Sequence, residues 1–208
     1  MKSNICKLNE DLTCLKAVLA EVEKVTTYNG LEDEKALRLR LLAEELCGML
    51  TGLIENFSGE FWAENEGDDY ELHAELKADD MSIGLRDELI SVSKSGKNAA
   101  AKGIMGKIRA VAETMLLAAF DPDFAPMAAP GEFYDYHGYN MSYGYIDPTV
   151  ETGYIYSWSL YNYITAVEEK EDEYAELERS IVAKLADDII IGVRGKNVEI
   201  VVKKSFGL

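Results

Sequence analysis

Glu45 sits where a carboxylate can meet a ligand. At about 100° per residue, Leu39, Leu42, Leu46, Met49, Leu50 and Leu53 share one apolar arc of a helix expected over residues 33–56. Glu44 points to the opposite side as a solvated charge. Glu45 falls on the shoulder of the arc, beside Leu41, Gly48 and Gly52. Two glycines inside a helix cost about 1 kcal/mol each relative to alanine, so the stripe they leave implies close backbone approach or a ligand. The competing reading is helix packing with a carboxylate at its rim. A second candidate is the most basic stretch of the chain, Ser95-Gly96-Lys97 through Gly103-Ile104-Met105-Gly106-Lys107. It enters a helix expected from about 99 to 120. Free N–H groups at helix N-termini, with lysines nearby, attract phosphate, although no Walker pattern is present. The plainer alternative is a solvated basic helix, or an internal partner for the acidic segments.

The elements that would position these residues are legible from period. A short extended start precedes a first helix over about 9–28, with Leu15, Val18, Leu19, Val22 and Val25 at helical spacing. Asn9 is its expected N-cap and Asn29-Gly30 its stop signal. After the second helix the period changes to two. GEFWAENE, the turn at Gly67-Asp68-Asp69 and YELHAELKA read as a β-hairpin with Tyr70, Leu72, Ala74, Leu76 and Ala78 inward. Near the C-terminus, EEKEDEYAELERSIVAKLADD reads as a helix with Tyr174, Leu177, Ile181 and Leu185 inward. DIIIGVR and VEIVVKK, around Gly195-Lys196-Asn197, form a closing hairpin. Helices segregated from antiparallel strands imply an α+β fold, a two-layer α/β sandwich.

The stretch NEDLTCLKAVLAEVEKVTTYNGLEDEKALRLRLLAEELCGML is similar to the start of anti-sigma regulatory factors, small serine kinases of the GHKL (histidine kinase-like, Bergerat) ATPase fold. AKLADDIIIGVRGKNVEIVVKK resembles that family's last helix and hairpin. The resemblance covers roughly 5–80 and 175–204 and implies a Bergerat fold that binds ATP. In the family's Glu-x-x-x-Asn box, Glu45 matches the glutamate that acts as general base or orients the attacking group. The Asn that would hold Mg²⁺ is Met49 here, and a thioether is a poor ligand for a hard cation. The adenine-reading Asp-x-Gly-x-Gly is matched by Asp80 and Gly84 of Asp80-Met81-Ser82-Ile83-Gly84, with Ser in place of the first Gly. Strand parity favours Asp80 over Asp79, because it continues the inward series ending at Ala78. A strand that simply ends on two aspartates is the alternative. Lys97, Gly103, Gly106 and Lys107 are the nearest substitute for the family's phosphate loop.

Residues 121–167 hold all four prolines and nine of the twelve tyrosines. They read as a long Tyr-rich insertion within a single domain spanning 1–208, either packed on itself, offering a partner or oligomer surface, or closing a lid over a small ligand. Stacking on single-stranded nucleic acid needs cations, and Lys170 is the only base between 121 and 178, against thirteen acids.

Composition sets the outer bounds. The 208 residues carry 21 bases and 38 acids, a formal charge of −17. That excludes the phosphate backbone of nucleic acids as a main partner and disfavours anionic membranes. No apolar run is long enough for a membrane helix, and the start lacks the apolar stretch of a signal peptide, so a cytoplasmic protein is expected. Cys6, Cys14 and Cys47 fit neither a disulfide framework nor a zinc site, and His73 and His137 leave little for a histidine metal centre. No metal site is assigned. The favoured reading is a divergent anti-sigma-factor-like regulator that binds a protein partner, a sigma factor or an anti-anti-sigma-like protein, with ATP binding weakened or lost. An active serine kinase with Glu45 as base, and a small-molecule binder whose pocket lies under Tyr143, Tyr154 and Tyr156, are the alternatives. A homodimer is left open.

Overall fold

Alternation of apolar and polar residues builds the sheet, and the 3.6-residue period builds the layer against it. The computed structural model describes residues 1–9, 13–53, 57–78, 108, 111–112, 115–116, 132–134, 140–142, 156–167 and 180–207. Strand β1 is Cys6–Asn9, and helices α1 (Leu15–Tyr28) and α2 (Asp33–Leu53) follow. Then come β2 (Phe57–Glu66) and β3 (Asp69–Ala78), the short pair β4 (Glu132–Tyr134) and β5 (Asn140–Ser142), β6 (Tyr156–Ser159), α3 (Leu160–Val167), α4 (Ile181–Leu185), β7 (Asp188–Arg194) and β8 (Asn197–Ser205). Six strands form one antiparallel sheet in the order β1-β2-β3-β8-β7-β6. The fold is mixed α+β, with helices packed against an antiparallel sheet.

Both hairpins turn tightly. β2 and β3 are joined through Gly67, with φ +62°, and β7 and β8 through Gly195, with φ +57°. Glycine adopts that left-handed backbone without a Cβ penalty. Asn197, expected in the second turn, instead begins β8 and pairs with Arg194.

The inner face of the sheet carries Phe61, Tyr70, Leu72, Ala74, Leu76, Val198, Ile200, Ile189 and Ile191, all buried in one core with α1 and α2. From α1 come Val18, Val22 and Val25; from α2 come Leu39, Leu42, Leu46, Met49 and Leu50. Ile108, Val111, Ala112, Met115 and Leu116 are helical and buried in the same core. Their spacing is one apolar helical face, in agreement with the helix expected there.

Three expectations are corrected. The first helix begins after Cys14, not at Asn9, because Cys6 and Leu8 alternate inward and draw residues 6–9 into pairing with β2, where Asn9 lies opposite Ser58. Its end is as expected: Leu31 N–H bonds Thr26 O (2.9 Å) and Gly30 N–H bonds Thr27 O (3.1 Å), the paired arrangement of a glycine-terminated helix. Ile181, expected inward, is 59% exposed and Val182 is buried instead. Ser180 is extended and its side chain accepts from Ala183 N–H, so α4 begins here with its own phase, and the expected inward Tyr174 and Leu177 lie outside the described residues. Finally, the last part of the Tyr-rich stretch belongs to the main fold. β6 extends the sheet at β7, and Trp158, Leu160 and Tyr163 are buried. Ser159 Oγ accepts from Asn162 N–H at the start of α3.

Candidate functional site

Of the residues expected in the nucleotide site, Glu45 alone lies among the described residues. α2 holds it on the solvent side of its apolar face, where it is exposed, while Leu46 and Met49 beside it are buried. A Cβ on Gly48, one turn from Glu45 on the same shoulder, would meet nothing within 4 Å. Among the described residues, nothing packs closely over the shoulder at Gly48. Glu44 pairs with Arg40 (3.2 Å), the solvated role expected of it. Met49 is 8% exposed and packs into the core, so its sulfur offers nothing to a cation on the shoulder. Cys47 is buried on the same helix. Burial, and then the neighbouring Cys14 and Cys6, push its thiol up to about 12.

Asp80, Gly84, Lys97, Gly103, Gly106 and Lys107 lie outside the described residues, as do Tyr143 and Tyr154. The structure therefore brings none of them to Glu45 or away from it. What it does bring together is the two parts of the sequence that flank them: β3 runs directly into residue 79, and β8 pairs along it from Asp69↔Ser205 to Lys77↔Asn197.

A second constellation, on the opposite face of the sheet, went unrecognised in the sequence. The hairpin register sets Glu64 opposite Glu71 and Trp62 opposite His73. His73 Nε2 lies 3.0 Å from Glu64 Oε1 and 3.1 Å from Glu71 Oε2, and Nδ1 lies 3.7 Å from Glu199 Oε1 on β8. The Trp62 indole stacks on the imidazole at 4.8 Å, and its Nε1–H donates to Glu64 Oε1 (2.9 Å). The Lys2 ammonium lies 4.2 Å from the Trp62 ring centre, and Lys203 pairs with Glu71 (3.1 Å). These contacts bury a histidine on the polar face of a sheet. The available signal was the two-residue turn, which fixes the register and therefore the neighbours of His73.

No protein-family model matches the chain, and no curated protein matches it.

Proposed function

We propose that this protein is a divergent GHKL-fold regulator, related to anti-sigma factors, that acts by binding a protein partner with its ATP binding weakened or lost. The observation that carries the reading is the pairing of β3 with β8. The two stretches that resemble the family are far apart in sequence, yet they share one sheet with α2 packed against it. A six-stranded antiparallel sheet under paired helices is compatible with the family's sandwich. Among the described residues nothing packs over α2 at Gly48, one turn from the exposed Glu45, which is what a cleft wall requires. Loss of Mg²⁺ follows from Met49: a buried thioether stands where the resemblance requires an amide oxygen, and Mg²⁺ demands oxygen ligands in near-ideal octahedral geometry.

Binding is tested by mixing the purified chain with a sigma factor and, separately, with an anti-anti-sigma-like protein, then measuring complexes by size exclusion. A stoichiometric complex without nucleotide is expected with one of the two. Failure with both classes would end the reading. The exposed Glu45 beside the open space at Gly48 also favours a second reading, an active serine kinase with Glu45 as general base. Phosphate transfer from labelled ATP to a partner, abolished by Glu45→Gln, would favour it over the first.

A further inference from the structure

We propose that Glu64, Glu71 and His73 bind one divalent transition-metal ion, Zn²⁺ foremost, on the polar face of the sheet. The three donor atoms lie within 4.8 Å of one another. With zinc–ligand bonds of 2.0–2.2 Å, tetrahedral geometry sets neighbouring donors about 3.4 Å apart. Nε2 already stands 3.0 and 3.1 Å from the two carboxylate oxygens. Rotation of the two half-exposed glutamate side chains about Nε2 brings the three donors to the spacing the ion requires. An open cleft of about 730 Å³, lined in part by Lys2, Glu64, Asn65, Asp69 and Glu71, gives solvent access to the two carboxylates.

The independent observation is the unsatisfied state of His73. Its side chain is nine-tenths buried, and Nδ1 has no hydrogen-bond partner among the described residues. With the proton on Nε2, the buried Nδ1 lone pair is wasted. With the proton on Nδ1, the Nε2 lone pair confronts two carboxylates. The acceptor that faces Nδ1 is Glu199 Oε1, at 3.7 Å. A cation on Nε2 resolves the second state. The lone pair and both carboxylates become ligands, and Nδ1–H points to Glu199, which closes by less than 1 Å. Histidine ligands are oriented by carboxylates in this way. Trp62 holds the ring plane from one side and donates to Glu64, and Lys203 holds Glu71. The imidazole selects a transition metal over Mg²⁺ or Ca²⁺, which take oxygen ligands.

Titration of the full chain with Zn²⁺ in competition with a chromophoric chelator tests the site. One equivalent is expected to bind. Glu64→Gln and Glu71→Gln should each weaken binding at least about 10-fold, and Glu199→Gln about 10-fold through the outer contact. Glu75→Gln, an exposed carboxylate outside the triangle, should change it less than about 2-fold; urea midpoints of all variants establish that they are folded. Co²⁺ should give a visible d–d absorption that Glu64→Gln and His73→Gln abolish. Should His73→Gln fail to fold, the half-exposed glutamates carry the test. Absence of a stoichiometric Zn²⁺ site, wild-type affinity in Glu64→Gln and Glu71→Gln, or an equal loss in Glu75→Gln would overturn the proposal.

Discussion

Glu45 and Met49 stand one turn apart on α2 and face different media: the carboxylate is exposed, while the thioether is 8% exposed and packed among Leu46 and Leu50. The position that the resemblance assigns to a metal ligand is thus committed to the core. Met49→Asn should therefore lower stability by about 2–4 kcal/mol, combining lost apolar packing with a buried unpaired amide. It should not create Mg²⁺-dependent nucleotide binding. Urea unfolding measures the first effect, and an unchanged midpoint would contradict the burial.

Two glycines should respond to alanine in opposite ways. A Cβ on Gly59 would lie 2.7 Å from Glu75 O and 2.7 Å from Leu76 Cδ2. Because one of these neighbours is backbone in the paired strand, Gly59→Ala must shift β2 against β3 and should cost about 1–3 kcal/mol. Gly48 lies in a helix with open space at its Cβ, so Gly48→Ala should stabilise by about 0.5–1 kcal/mol. Thermal melts of the two variants, moving in opposite directions from the parent, are the expected result.

The thiols should separate by burial. Cys6 and Cys47 are buried and Cys14 is half-buried. Burial raises the Cys6 thiol, with the Glu21 carboxylate adding to it, and lifts Cys47 to about 12. The thiolate is the reactive form. At pH 8 a disulfide reagent should modify Cys14 first, and Cys47 only after denaturation. Mass spectrometry of partially labelled protein reads the order; early labelling of Cys47 would contradict the packing of α2.

Glu21 ties α1 to the chain preceding β1. Its carboxylate accepts from the Lys24 ammonium, from Asn4 N–H (3.1 Å) and from Asn4 Nδ2 (3.2 Å). The Lys24 hydrogen bond, with smaller help from Asn4, holds its pKa below the usual value of 4.5. A depressed folded pKa means that the stabilisation is present above the unfolded value and is lost as pH falls through the folded one. Below about pH 4.5, Glu21→Gln should thus lose less stability than the parent on further acidification. Parallel acid limbs in urea titrations would show that the contact contributes nothing.

Where one residue's neighbours follow from a local rule, the sequence already contained the structure. The α2 arc from Leu39 to Leu50, the Asn29-Gly30 stop and the inward series Tyr70, Leu72, Ala74 and Leu76 are all set by period and turn chemistry. Asn9 was misread because an N-cap preference is weak beside the pairing and burial that draw residues 6–9 into β1. Ile181 was misread because the period was carried through Ser180, which caps the start of α4. The pairing of β3 with β8, and the position of Glu199 near His73, depend on contacts between segments more than a hundred residues apart, which no local pattern encodes. Of the candidate nucleotide site, the exposure of Glu45 followed from its angle on the helical wheel. The burial of Met49 likewise followed from its place on the apolar arc, whereas the surroundings of Gly48 required the packed structure.

Calorimetric titration of the full chain with a non-hydrolysable ATP analogue, with and without Mg²⁺, is the most direct measurement of the central claim. The account predicts weak or undetectable binding that Mg²⁺ does not strengthen. Tight binding that requires Mg²⁺ and is weakened by Glu45→Gln would contradict it.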